Sequence, residues 1–397
     1  MVGRVRHETS RRVRQQETAG KTIDVSQTRT TVQNIEAFRI AIPEPAVADL
    51  HARLCTTRWP NGVIDRTGGY PMAEATRLAA RWAESFDWYE REAKLNALPQ
   101  YLVRVDDHRI HVVHLRSVAG GGAPLLLLHG WPGSFVEMLE LAERLSVTHD
   151  VVVPSIPGFA FSPAATAPGL SNRRCAHTLA ELMAALGYER FGVHGGDIGA
   201  GVATWMAALN PERVVGMHLN FIPGSYAPAR DVPPTPEEQS FLDRRARWSD
   251  ESGAYAHVQR TRPLTLAYGL ADSPVGLMAW IVEKFAECCD PASQLSDDTL
   301  LTNASIYWFT NTIASSVRIY LESRGTPLTF EWGQRLSTPT AIAHFPFDLP
   351  LPPRSWVERV YPVARWSEMS KGGHFAALEQ PDALSADIRD FFAHLGR

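Results

Sequence analysis

The stretch Gly195-Gly196-Asp197-Ile198-Gly199 has the spacing of a G-x-S-x-G nucleophile elbow with aspartate at the serine position, and no G-x-S-x-G occurs elsewhere in the chain. An apolar run over 190–194 enters it and a helical pattern over 198–209 leaves it. Strand, sharp turn and helix is the setting in which a reactive side chain stands exposed on a strained turn. Gly195 and Gly199, two residues either side of Asp197, keep that turn free of side-chain clashes. Unlike serine, aspartate is already ionised near neutral pH and needs no base in order to attack. A carboxylate attacking a carbonyl gives an anhydride, whereas one attacking an electrophilic saturated carbon gives an ester on the enzyme. The substrate this predicts carries a leaving oxygen or halide on sp3 carbon, as in an epoxide or a haloalkane. A second step must then send water at the Asp197 carbonyl, which requires a general base, usually a histidine oriented by an acid, and an oxyanion hole.

The order nucleophile, acid, histidine along a sheet with an elbow is that of the α/β-hydrolase fold. The histidine must follow the last strand, and Ser370-Lys371-Gly372-Gly373-His374-Phe375 supplies a loop that can turn over the sheet edge. The acid should follow the strand before it, which selects Asp348 in Phe345-Pro346-Phe347-Asp348; Glu368 lies within the last strand and is expected to point away. The acid fixes the histidine tautomer and stabilises the imidazolium. Backbone N–H groups of Ile198 and Trp131, the latter in His129-Gly130-Trp131-Pro132-Gly133, are the expected oxyanion hole and the only pocket-lining positions identified. His129 and His194 read as buried, hydrogen-bonded histidines. Opening an epoxide also leaves an alkoxide that needs a proton donor facing Asp197. Tyr255, Tyr268, Tyr307 and Tyr320 are candidates, and spacing alone does not choose among them.

The elements that must position these groups are legible as strands alternating with helices. Runs over 101–105 and 110–115 read as an antiparallel hairpin. Apolar runs at 124–129, 150–155, 190–194 and 214–221 read as strands buried on both faces, with helical patterns over 135–145, 176–186 and 198–209 between or after them. That alternation argues for a mostly parallel α/β sheet. After a proline-rich passage, helical and irregular text continues to about residue 336 and reads as an inserted cap. The core resumes at 338–344 and 363–369 and ends in an amphipathic helix over 382–395. The expected organisation is therefore a disordered tail at 1–35, an N-terminal meander at 36–100, core at 101–226, cap at 227–336 and core again at 337–397. Within the meander, 38–43 reads as a short strand, and 45–54 and 72–86 as helices.

With 45% hydrophobic and 21% charged residues in 397, the chain is of soluble globular composition, and its net charge of −4 gives no reason to expect nucleic-acid binding. Cys55, Cys175, Cys288 and Cys289 show neither metal-ligand nor disulfide spacing. The expectations are a reduced, cytoplasmic protein without metal or cofactor. The Arg-rich N-terminus lacks the apolar segment of a signal or membrane anchor. A homodimer is compatible with the sequence.

Over about 36–397 the chain resembles the microsomal-type epoxide hydrolases. The motifs are Phe38-Arg39-Ile40, Arg58-Trp59-Pro60, His129-Gly130-Trp131-Pro132-Gly133, Gly195-Gly196-Asp197-Ile198-Gly199, Phe345-Pro346-Phe347-Asp348 and Gly372-Gly373-His374-Phe375. The resemblance implies Asp197 as nucleophile, Asp348 as acid and His374 as base. It also implies Tyr255 and Tyr320 as the ring-opening pair, with Tyr268 and Tyr307 left as packing residues. Ile198 departs from the Trp that follows the nucleophile in many relatives, which suggests a changed pocket wall. The membrane anchor of the vertebrate enzymes is not matched, and some bacterial relatives act on bulky natural-product epoxides. Two other functions compete. A haloalkane dehalogenase would use the same aspartate, but Ile198 lacks the indole donor that such enzymes use for halide, and Trp131 stands where they have Asn. A catalytically silent hydrolase-fold binder would not need nucleophile, acid and base in order.

Overall fold

The computed structural model describes residues 35–61, 68–164, 167–226 and 232–395, all within one compact unit, Asn34–Arg397. The tail expected at 1–35 lies outside the described residues except for Ile35, which opens the first strand. The strands are β1 (Ile35–Ala37), β2 (Gln100–Val105), β3 (His108–Leu115), β4 (Leu125–Leu128), β5 (Val151–Pro154), β6 (Phe191–Gly195), β7 (Val214–Leu219), β8 (Thr340–His344) and β9 (Val363–Glu368). They form a single sheet in the order β1-β2-β3-β5-β4-β6-β7-β8-β9. β1, β2, β3 and β5 pair antiparallel at one edge, and every other pairing is parallel. This is the α/β-hydrolase architecture that the alternation predicts.

The continuous apolar runs follow from the two-residue strand period, since both faces of the sheet are covered. Leu126 and Leu128 of β4 enter the core under helices Asn172–Ala185 and Asp197–Leu209. Leu125 and Leu127 enter the opposite core under helices Leu139–Leu145 and Pro381–Leu395. Each such leucine contributes roughly 1.5–3 kcal/mol of apolar burial. β7 and β8 are separated by the helices Pro236–Glu251, Ala254–Thr261, Pro263–Asp272, Pro274–Cys288, Asp297–Thr310 and Ile313–Ser323, which make up the cap. No single helix among the described residues is long and apolar enough to cross a membrane.

The N-terminal segment departs from the sequence reading. Residues 38–43 are not a strand; β1 lies just before them. Side chains take the place of a strand neighbour there. Asn96 Oδ1 accepts from the Ile40 amide and its Nδ2 donates to the Ile40 carbonyl, each at 2.8 Å, and Glu92 accepts from the Ile42 amide at 2.8 Å. A helix that periodicity did not single out, Trp88–Leu95, is capped by Asp87, which accepts from the amides of Tyr89 and Glu90. Trp88 is buried against Phe309 of the cap, while Tyr89 is exposed. Trp82 Nε1 donates to Ser305 Oγ at 3.0 Å. The meander therefore braces the cap as well as the sheet.

Four buried histidines bear on pH stability. His111 sits between Ser155 and Gln100, at 2.8 and 2.9 Å. His129 Nε2 accepts from the Ile156 amide at 3.1 Å, and His194 meets His218 at 3.1 Å. Burial pushes His111 down to about 3 and His129 and His114 down to about 4, and it holds His194 well below the usual range. These groups are neutral in the fold but protonate near 6.5 when unfolded, so below that pH the unfolded state binds more protons. Each then removes up to about 1.4 kcal/mol of stability per pH unit until its folded value is reached. His374, Glu137 and Glu379 are shifted upward and act in the opposite sense, but they are three groups against these four histidines and His149, which burial also lowers. The denaturant midpoint should therefore fall steadily from pH 6.5 to pH 4.5; a flat midpoint over that interval would show that these histidines titrate alike in both states.

Candidate active site

Asp197 opens its helix with φ of +46°, a left-handed conformation rare for a residue with a side chain, and this turns the carboxylate out of the strand–helix junction. The glycines around it are required by contact. A Cβ on Gly199 would fall 2.3 Å from the Leu128 carbonyl oxygen, and one on Gly195 would fall 2.5 Å from the Gly199 carbonyl carbon. Gly130, at the end of β4, is pressed so close that a Cβ there would lie 2.4 Å from the Asp197 Cβ. That approach brings the backbone N–H of Trp131 to 2.8 Å from Asp197 Oδ1. Ile198 lies in the first turn of the helix, where amides have no intrahelical acceptor.

The other carboxylate oxygen, Oδ2, lies 3.4 Å from His374 Nε2, and His374 Nδ1 lies 2.5 Å from Asp348 Oδ1. All three side chains are largely buried, with 16% of Asp197, 4% of His374 and 3% of Asp348 exposed. Burial disfavours the imidazolium, but the Asp348 and Asp197 carboxylates outweigh it and hold His374 well above its usual value. Glu368 pairs with His344 at 2.6 Å and Trp366 Nε1 at 2.6 Å, away from His374, as the sequence reading expects. Trp131 joins the core to the cap. Tyr255 stacks on it at 5.4 Å and Tyr320 meets it edge-on at 6.2 Å, with the two tyrosine rings 6.4 Å apart. Burial raises both phenols far above the usual range, and the Asp197 charge adds to the rise.

The two remaining tyrosines are not equivalent packing residues. Tyr268 is 72% exposed on the outside of the cap. Tyr307 is buried, and its hydroxyl donates to the Gly133 carbonyl at 2.8 Å, bracing the loop that carries Trp131. Among the described residues no group of three or more His, Cys, Asp or Glu side chains is placed to hold a metal ion.

Sequence reasoning missed the residues that hold the His374 loop. Asp290 accepts from the Gly372 amide at 2.8 Å, and Glu379 accepts from the amides of Asp290, Gly373 and Phe375 at 2.7, 3.0 and 3.1 Å. The His374 amide itself donates to the Cys288 carbonyl at 2.9 Å. Asp290 is in the cap and Glu379 in the core, and no spacing pattern connects them.

A carboxylate on an elbow, facing a histidine–aspartate pair on a mostly parallel sheet with a helical insertion, defines an enzyme of the α/β-hydrolase class. Residues 35–138 match the family model described as epoxide hydrolase N terminus, and 123–267 match that of the alpha/beta hydrolase fold. A protein of Stigmatella aurantiaca is 41% identical over 91% of this chain and 85% of its own. Epoxide hydrolase 1 of Oryctolagus cuniculus is 33% identical over 90% and 89%. The crystal structure of juvenile hormone epoxide hydrolase from the silkworm Bombyx mori superposes with a TM-score of 0.84 at 30% identity, covering 91% of this chain and 94% of that one. The chain belongs to the epoxide hydrolase family. It is a hydrolase that uses water to open epoxides, and neither the dehalogenase nor the silent-binder reading is favoured.

If the Glu379 carboxylate holds the His374 loop, Glu379→Ala strands three backbone amides. The expected cost is on the order of 3 kcal/mol of stability, with turnover slowed roughly tenfold or more as His374 loosens. Thermal melting and kcat measured together test this, and wild-type values for both would show that the loop is held by other contacts.

Proposed function

We propose that the chain opens an epoxide through a covalent ester on Asp197, released by water that His374 activates with Asp348 behind it. The observation that carries the reading is the division of the Asp197 carboxylate between the Trp131 amide on Oδ1 and His374 on Oδ2. Oδ2 attacks an epoxide carbon, the C–O bond of the ring breaks, and the ring oxygen takes a proton from Tyr255 or Tyr320. Oδ1 then becomes the ester carbonyl oxygen, already facing the oxyanion donors Trp131 and Ile198. His374 Nε2 takes a proton from water, whose oxygen adds to the Asp197 carbonyl carbon. Collapse breaks the bond to Oδ2, which leaves with the diol as His374 returns the proton. The water oxygen remains on Asp197, and the second proton that it brought passes to the tyrosinate left by ring opening, which restores both the Asp197 carboxylate and the phenol. The substrate is an epoxide small enough to reach Asp197 beneath the cap, with water as the second reactant.

His374→Gln should form the ester but not release it, so mass spectrometry of protein mixed with substrate should show an adduct on Asp197. Asp197→Asn should show neither adduct nor turnover. An unchanged rate in Asp197→Asn, with deamidation controlled, would remove Asp197 from the chemistry, and loss of ester formation in His374→Gln would overturn the division of labour.

The tyrosines act in the first step only. Removing one donor aimed at a developing oxyanion costs on the order of 3 kcal/mol, a hundredfold or more in rate. Tyr255→Phe and Tyr320→Phe should each slow ester formation by that order while leaving ester hydrolysis near wild type, and the double variant should be nearly inert. Tyr268→Phe is the control, since that residue is exposed, whereas Tyr307→Phe disturbs the Trp131 loop. Single-turnover rates decide, and a double variant that alkylates at the wild-type rate would place the donors elsewhere.

A further inference from the structure

Glu137 is a second buried acid beside the reacting groups, and the reaction as written does not use it. It is 6% exposed, and its Oε2 is buried with no hydrogen-bond partner in the protein. Gly130 joins it to the nucleophile. Gly130 packs on the Asp197 Cβ, and the turn that carries Gly130 and Gly133 wraps the Glu137 carboxyl. Gly133 leaves the space the carboxyl occupies, since a Cβ there would fall 2.0 Å from Oε2. Burial pushes the Glu137 carboxyl up to about 8; the His374 charge opposes that rise and the Asp197 charge adds to it, so the carboxyl senses both members of the dyad.

Glu137 also forms the inner end of a cleft of about 700 Å³ that does not include Asp197 on its wall. The mouth is polar and exposed at Lys94, Glu140 and Glu143; the inner end is formed by Gly133, Asn303 and Glu137, all buried. Asn303 Oδ1 is unpaired there as well, its Nδ2 being committed to the Pro132 carbonyl at 2.7 Å. A roomy recess whose inner end carries two unpaired buried acceptors, Glu137 Oε2 and Asn303 Oδ1, is a site for ordered water. It lies between the meander, the helix Leu139–Leu145 and the cap helix Asp297–Thr310, and Glu137 is its wall residue that borders Gly130 and Gly133.

We propose that this cleft is a solvent inlet and that Glu137 positions the hydrolytic water against the ester on Asp197. One proton of that water faces His374 Nε2 and is transferred; the other is held by Glu137 Oε2 and stays on the oxygen. A lone pair is thereby aimed at the Asp197 carbonyl carbon. Glu137 is a positioning residue for the second step and has no part in ring opening. The inlet rests on the covalent reading above.

The test separates the two half-reactions in the full-length chain with a chromogenic epoxide such as a nitrostyrene oxide. Glu137→Met keeps about the same volume but removes the acceptor, which glutamine would retain in its amide oxygen. It should slow ester hydrolysis roughly ten- to a hundredfold, leave ester formation within about twofold, and accumulate the Asp197 adduct, with Glu137→Asp recovering part of the rate. Thr302→Trp, on the cleft wall away from Asp197 and His374, leaves Glu137 in place and narrows the inlet; it should slow hydrolysis in the same selective way and keeps the test valid if Glu137→Met fails to fold. Equal slowing of both half-reactions, or no slowing in either variant, would overturn the inlet. An adduct in His374→Gln without one in the Glu137 or Thr302 variants would sink the inlet alone, whereas no adduct in any variant would remove the covalent reading beneath it.

Discussion

The site depends on how closely the end of β4 is pressed against the elbow. Gly130 touches the Asp197 Cβ, and Gly199 touches the Leu128 carbonyl, so a single methyl group at either position would force the two turns apart. At that separation the Trp131 amide reaches Oδ1. Asp197 itself is held in a left-handed conformation that costs on the order of 1–3 kcal/mol for a non-glycine residue. The buried strands β4 and β6 and the helix that follows hold the turn against that cost. The Asp197 carboxylate is therefore placed by packing of the whole sheet.

Electrostatics follow from the same crowding. Asp197 and Asp348 are largely buried with one imidazole between them, and Glu137 is a third buried acid close enough to feel the same charges. Charges so placed interact strongly because little solvent screens them. His374 is favoured in its charged form while both of its neighbours are carboxylates. In the mechanism proposed above, esterification removes the Asp197 charge, so one of the two stabilising partners of the imidazolium disappears. His374 then becomes easier to deprotonate at the point where a base is needed. Forming the ester and readying the base are coupled through one charge.

The cap takes part in the site as a structural element. Trp131 belongs to the core and supports two cap tyrosines on its indole, so the proposed oxyanion donor and the proposed proton donors share one contact surface. The His374 loop is bound to the end of the cap helix Pro274–Cys288 through the Cys288 carbonyl and Asp290. Trp82 and Trp88 of the meander pack against the cap helix Asp297–Thr310. Meander, cap and core thus constrain one another around the dyad.

The elbow, the parallel sheet, the inserted helices and the grouping of Asp197, His374 and Asp348 side chains are legible in the sequence because each rests on local information. These signals are glycine spacing at a turn, apolar runs of strand length, and the order of loops along a sheet. The selection of Tyr255 and Tyr320 came from resemblance, because four cap tyrosines have the same local character. Only the fold separates Tyr268, exposed on the cap, from Tyr307, bound to Gly133. The short strand was misplaced because Asn96 and Glu92, more than forty residues on, supply its hydrogen bonds. Glu137, Asp290 and Glu379 left no sequence signal at all. An acidic residue in a helical or loop pattern reads as solvated surface, and whether it is buried beside a histidine depends on contacts between segments far apart in the chain. The sequence determined which side chains can do the chemistry; the tertiary structure decided which acids surround them, since burial and partner charge are properties of the assembled fold.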